Sequence, residues 1–129
     1  LKYTIEKIEE VREVDLVVIV EENYPFRPVG LLNKLINSII EGGYDTVCAS
    51  IIEQRSIWLD SKDKIQSIGD GKMVPRNLKP EKIHINLFGL GAVTYVDNIR
   101  KNNILANRVG LSPVPSYPYS FQINTKAKL

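Results

Sequence analysis

The sequence predicts an α/β fold in which a mostly parallel sheet carries helices on both faces. Two runs, Leu16-Val17-Val18-Ile19-Val20 and Thr46-Val47-Cys48-Ala49-Ser50-Ile51-Ile52, are strand-sized and almost continuously apolar or small. A strand with one wet face alternates; an unbroken β-branched run suits a strand covered on both faces, as in parallel sheets. Between them lies a helical stripe, Leu31, Leu32, Leu35, Ile36, Ile39 and Ile40, stopped by Gly42-Gly43. Strand, amphipathic helix and strand at these lengths make a βαβ unit, with a right-handed crossover and parallel strands.

Each element has a local reason. Ile5, Ile8 and Val11 recur at helical spacing among Glu and Lys, giving a first helix over 3–12. The segment 21–28 is polar and holds Pro25 and Pro28, so it reads as a loop. The second helix covers 29–41, and glycine accepts the left-handed turn that ends it. Residues 53–82 are polar, with Gly69-Asp70-Gly71, Pro75 and Pro80, and are too long for a simple connection. Strands are expected there at 56–59 and 65–68, with loop beyond. A further strand follows at 91–96, then a helix over 98–105 with Asp97 as its cap. A fourth strand is expected at 108–114, then an extended proline-rich stretch to Pro118 and a short strand at 120–124.

The chain has 129 residues, 43% of them hydrophobic and 25% charged, the mixture of one globular domain. No apolar run is long enough for a bilayer. Cys48 is the single cysteine, so no internal disulfide can form, and a reducing, cytoplasmic setting is expected. Net charge is +2, but it is divided unevenly. From Lys72 onward nine Lys and Arg face Glu81 and Asp97, a balance of +7, against −5 for the residues before. A basic half suits an anionic small ligand, a nucleotide or a sugar acid; a solvated basic face is the plain alternative. The basic residues form no dense run, so nucleic acid is not expected. The sequence opens on Leu1 rather than Met, and a segment of a longer polypeptide is expected.

Several familiar sites are excluded. Gly89-Leu90-Gly91 precedes a strand and lacks the third glycine of a dinucleotide loop, so close backbone packing is the better reading. There is no phosphate-binding P-loop and no nucleophile elbow. His84 is the single histidine and has no Cys or carboxylate at ligand spacing. Tyr117 and Tyr119 stand among prolines, as in an extended segment. More telling is Glu22-Asn23-Tyr24-Pro25-Phe26-Arg27, which leaves the carboxyl end of the first strand. Open α/β sheets place ligands there. Arg27 could take a carboxylate or phosphate bidentately, or pair locally with Glu21 or Glu22.

The order of these segments resembles the acylneuraminate (CMP-sialic acid synthetase-like) cytidylyltransferase family. The resemblance rests on Tyr24-Pro25-Phe26-Arg27 after a strand, Tyr44-Asp45-Thr46-Val47-Cys48-Ala49-Ser50 after a helix, Pro75-Arg76-Asn77-Leu78, Gly91-Ala92-Val93-Thr94-Tyr95-Val96 and Gln122-Ile123-Asn124-Thr125. It covers nearly the whole chain. It implies a Rossmann-like, three-layer nucleotide-diphospho-sugar transferase fold, of which residues 1–129 are a partial domain. It implies transfer of CMP from CTP to a sialic-acid-like sugar acid: the anomeric hydroxyl attacks the α-phosphate and pyrophosphate leaves. Charge on the phosphate oxygens then calls for Mg²⁺ and cationic side chains. Arg27 would lie beside the pocket, and Arg76 and Asn77 would face the sugar acid. The insertion 53–82 would be the part exchanged between subunits, so a symmetric homodimer is expected.

The departures from the family pattern bear on activity. Its opening basic, glycine-containing nucleotide loop does not occur in these residues, so the segment alone is expected to be inactive. Its two metal-binding aspartates are Gln122 and Asn124 here, and neutral amides are poor Mg²⁺ ligands. Its strand asparagine is Leu90, and the glutamine of its Arg-Gln pair is Asn77. A degenerate, non-catalytic domain for sugar or nucleotide binding or for dimerisation is therefore the competing reading, and an unrelated α/β binding domain the third.

Overall fold

In the computed structural model, residues 1–69, 74–78 and 82–123 are described. The helices are α1 (Lys2–Glu9), α2 (Leu31–Gly42) and α3 (Val96–Arg100). The strands are β1 (Leu16–Ile19), β2 (Thr46–Glu53), β3 (Ile57–Ser61), β4 (Lys64–Ile68), β5 (Ile83–Asn86), β6 (Ala92–Tyr95) and β7 (Val109–Pro113). A short 3-10 turn covers Arg76–Leu78.

The main sheet is mixed, which corrects the mostly parallel expectation. Strand β6 lies between β1 and β2 and is antiparallel to both, and β5 is also antiparallel to β2. Only β7 pairs with β2 in parallel. The β1–α2–β2 unit is present, with its two strands running the same way, but the crossover leaves room for β6 between them. The antiparallel partner comes from a distant part of the chain. A local apolar run carries no mark of which strand will lie beside it.

Strands β5 and β6 lie along one edge of β2 and are interrupted once. Ser50 pairs with Asn86 and Cys48 with Ala92. Between them, the N–H of Leu87 donates to the Ala49 carbonyl (2.8 Å), and the N–H of Ala49 donates to the Gly91 carbonyl (2.8 Å). One residue of β2 thus faces an excursion from Leu87 to Gly91. Strand β5 was not expected from the sequence, because it follows the polar insertion and is only four residues long.

The core follows from the periods of its elements. Leu31, Leu35 and Ile39 lie at four-residue spacing on α2 and are buried against Val47, Ala49 and Ile51 of β2 and Leu90 and Val93. The helix ends at Gly43, whose φ of 62° is left-handed. Ile5 of α1 packs with Val96 and Ile99 of α3, and Val14, Val17 and Ile104 close this second cluster. Leu16 belongs to the first cluster and Val17 to the second, as alternation along β1 requires. Even so, β1 is only half-buried, because it lies at the sheet edge.

Helix α3 is shorter than expected and starts earlier. Its cap position is Tyr95, and Asp97 sits in the first turn, where its charge favours the helix dipole. Asn102 and Ala106 take positive φ (55° and 50°), so the helix cannot continue to 105. A buried polar knot holds the return to β7. Thr46 and Thr94 share a hydroxyl–hydroxyl bond (2.8 Å), Thr46 donates to the Ile104 carbonyl (2.5 Å), and the Asn98 amide donates to the Asp45 carbonyl (2.9 Å). The Asp45 carboxylate accepts the backbone N–H of Arg108 (2.9 Å). Of the strand expected at 120–124, residues 120–123 form none; a turn bonds Ser120 back to Ser116 (2.7 Å).

Leu35 is 0% exposed and Ile40 62% exposed on the same helix. Urea unfolding should show Leu35→Ala less stable by about 3 kcal/mol, the cost of lost burial plus a cavity. Ile40→Ala should stay within about 0.5 kcal/mol.

Candidate ligand site at the carboxyl end of the sheet

Strands β1 and β2 run the same way, so their carboxyl ends lie together. The loop after β1 is locked to the excursion between β5 and β6. The Glu21 N–H donates to the Gly89 carbonyl (2.8 Å). Arg27 donates from Nε to the Leu90 carbonyl (2.7 Å) and from Nη2 to the Glu21 carbonyl (3.1 Å). The Glu21 side chain lies over Gly89, where any Cβ would collide with its carboxylate. A side chain at 89 would make the exposed Glu21 carboxylate swing aside.

The chain's later residues join the same place. The N–H of Ile123 donates to the Asn23 carbonyl (2.8 Å), and the rings of Phe26 and Phe121 stand 6.1 Å apart, tilted by 53°. Asn23 Oδ1 is buried there without a hydrogen-bond partner among the described residues. Tyr24 packs against the main core cluster. Its phenol is pushed up, first by burial and then by the Glu21 carboxylate.

At the end of β2, the buried Glu53 carboxylate takes three bonds from Arg55: from Nη2 (2.5 Å), Nε (2.9 Å) and the backbone N–H (2.7 Å). The guanidinium bonds, then the backbone N–H, hold its pKa down to about 2 against the opposing effect of burial. Nearby on β2, Ser50 Oγ meets His84 Nδ1 at 3.2 Å. The buried Cys48 thiol is pushed up by desolvation, which outweighs its bond to the Asn86 side chain.

The residues expected to form the site fare differently. Arg27 is at this end of the sheet, but its guanidinium binds backbone carbonyls instead of a local carboxylate or open solvent. It positions the loop. Gln122 is half-buried in the segment that touches Asn23 and Phe26. Asn77 is exposed on the 3-10 turn, and no hydrogen bond joins it to the Arg27 loop among the described residues. The side chain of Arg76, and Asn124, lie outside the described residues. The sequence did not single out Glu21 and Asn23 as site residues. The one available signal was the glycine at 89, since it marks a backbone that something approaches closely.

A separate notch of about 340 Å³ lies at the opposite end of β1, lined by Glu9, Glu13, Asp15, Asp97 and Arg100. Arg100 already pairs there with Asp97 (2.6 Å) and Glu9, so part of its charge is internally neutralised. The convergence of three distant chain segments favours the carboxyl end as the ligand site. Among the described residues, no group of three or more His, Cys, Asp or Glu could hold a metal ion, and no helix is long and apolar enough to cross a membrane. Neither any protein-family model nor any curated protein sequence matches the chain.

Two measurements check this account. Arg27→Ala should lower unfolding stability by about 2 kcal/mol, since hydrogen bonds from a charged donor are lost from a half-buried clamp. Arg27→Lys should restore little, because one ammonium cannot reproduce the guanidinium fork. Glu53 has a folded pKa of about 2, below the ordinary 4.5, so its stabilisation is present above pH 4.5 and lost as pH falls toward 2. Thermal melts of Glu53→Gln against the parent should differ most above pH 4.5 and converge toward pH 2.

Proposed function

We propose that this chain is part of a nucleotidyltransferase-like protein of activated-sugar synthesis, with CTP and a sialic-acid-like sugar acid as its ligands. One observation carries the reading. The segments that resemble the acylneuraminate cytidylyltransferases beside Leu90 and around Ile123 are far apart in sequence, yet each is bonded to the loop of Arg27 at one end of the sheet. In this reading the fold is the Rossmann-like, three-layer transferase type. Arg27 shapes the pocket wall, Arg76 and Asn77 contact the sugar acid, and the setting is cytoplasmic. The β3–β4 hairpin belongs to a homodimer interface. Its Trp58 (63% exposed) and Ile65 (66%) are the apolar surface such an interface would cover.

A second reading is favoured by Gln122. It stands where that family has a metal-binding aspartate, and it lies in the segment bonded to the loop. An amide there is a poor ligand for Mg²⁺. The domain would then bind the sugar acid or nucleotide without transferring it.

Calorimetric titration with CTP, CMP and N-acetylneuraminate, with and without Mg²⁺, tests both. The first reading expects CTP affinity that rises with Mg²⁺; affinity indifferent to Mg²⁺ supports the second. Arg76→Ala and Asn77→Ala should each weaken the sugar acid by roughly tenfold, about 1.4 kcal/mol, and leave CMP unchanged. Absence of binding to all three ligands would overturn both readings.

A further inference from the structure

We propose that Glu53 and Arg55 form a rigid elbow that fixes the direction in which the β3–β4 hairpin leaves the main sheet. The bonds that make the elbow lie within residues 46–68 and are independent of the ligand reading.

The hairpin is a sheet of its own. Strand β3 pairs with β4 and with no other described strand, and the two pack chiefly against each other. Only Gln54, Arg55 and Ser56 separate the end of β2 from the start of β3. A joint this short passes its own conformation directly to the hairpin. If the joint is loose, the hairpin swings; if it is fixed, the hairpin has one direction.

The near side of the joint is immobile. Glu53 is the last residue of β2, stands opposite Ile83 of β5 and is 8% exposed. Both of its carboxylate oxygens are spent on the joint. Oε1 accepts the backbone N–H of Arg55 (2.7 Å), and Oε2 accepts from Nε (2.9 Å) and Nη2 (2.5 Å) of the same residue. The backbone bond closes a small ring through residues 53–55, which restrains the dihedrals of Gln54. The planar guanidinium then holds the Arg55 side chain to the same carboxylate.

This pair differs from an ordinary surface ion pair. Such pairs contribute little because two mobile side chains must both be ordered. Here one partner is already set in the sheet. The other, Arg55, has a side chain that is 70% exposed, so it braces the joint without filling the core.

The direction matters because the two faces of the hairpin differ. Trp58, Asp60, Ile65 and Ser67 share one face, and Ile57, Leu59 and Ile68 share the other. Both faces carry apolar side chains, so the side chains alone do not determine which face is presented. The elbow does.

The test is backbone order from residual dipolar couplings of the whole chain, a readout that includes motions up to milliseconds. In the parent, the amides of β3 and β4 should fit the same alignment as those of β2, with order parameters of about 0.85, the value of rigid backbone. Arg55→Ala removes two of the three bonds and no buried side chain. Hairpin order parameters should then fall below about 0.6, while those of β2 and β6 stay unchanged. Arg55→Lys should recover little of the order, because an ammonium cannot form the fork. Glu53→Gln should loosen the hairpin to the same degree, and the double variant no further, since each change breaks the same pair. Arg55→Ala decides the matter if Glu53→Gln does not fold. The proposal is overturned if the parent hairpin already fits a separate, weaker alignment. It is also overturned if Arg55→Ala keeps the parent's order, whether through other contacts or through a second copy, or if the two single effects add. Loss of order in hairpin and sheet together overturns it too, and would assign the pair to the core.

Discussion

The structure depends on one constraint: the backbone of β2 is buried, so both its edges must be bonded. One edge takes β7. The other takes β6 and then β5, with Ala49 bonded to Gly91 and Leu87 across the gap between them. Buried N–H and C=O groups cannot be left unpaired without a cost of about 1–3 kcal/mol each. The excursion from Leu87 to Gly91 is therefore pinned at both feet, and its middle is pushed away from the ladder. The Gly89 and Leu90 carbonyls that it strands are then taken up by the Glu21 N–H and by Arg27. The candidate ligand site is built on this repair.

That origin explains why the polar residues at the site divide into two kinds. Arg27 is committed to carbonyls, and its positive charge acts on the backbone dipoles of the loop and the excursion. Glu21 and Asn23 keep side-chain acceptors over the same region, one lying on Gly89 and one buried without a hydrogen-bond partner among the described residues. Glu53 stays ionised down to about pH 2 because Arg55 wraps around it. A carboxylate without such a partner would be driven toward its neutral form by burial. The carboxyl end of the sheet therefore has fixed charge and a fixed backbone, the conditions for an ordered site.

The second half of the core serves a different end. The knot of Thr46, Thr94 and Asn98 satisfies hydroxyls that β2 and β6 bury, and it ties the return from α3 to the start of β7. Small polar residues there do what a larger apolar pair could not: they bring Ile104 and Asp45 carbonyls close to the sheet and bond them. The parallel strand β7 is thereby held in register with β2.

The sequence by itself determined most of the elements, because each announces itself within a few residues. The four-residue spacing of Leu31, Leu35 and Ile39 made α2, Gly43 ended it, and the runs at 16–20 and 46–52 made β1 and β2. It also marked the loop that carries Arg27, since prolines after a buried-type strand leave little else for 21–28 to be. Only the tertiary structure decided the neighbours. Nothing within Ala92–Tyr95 says that it will run antiparallel between β1 and β2, and nothing near Arg27 says that its partner is the Leu90 carbonyl, 63 residues away. Periodicity records which side of a strand is dry. Which strand lies beside it, in which direction, and which carbonyl is left over are settled by hydrogen bonds between distant residues, and those exist only once the chain has closed on itself.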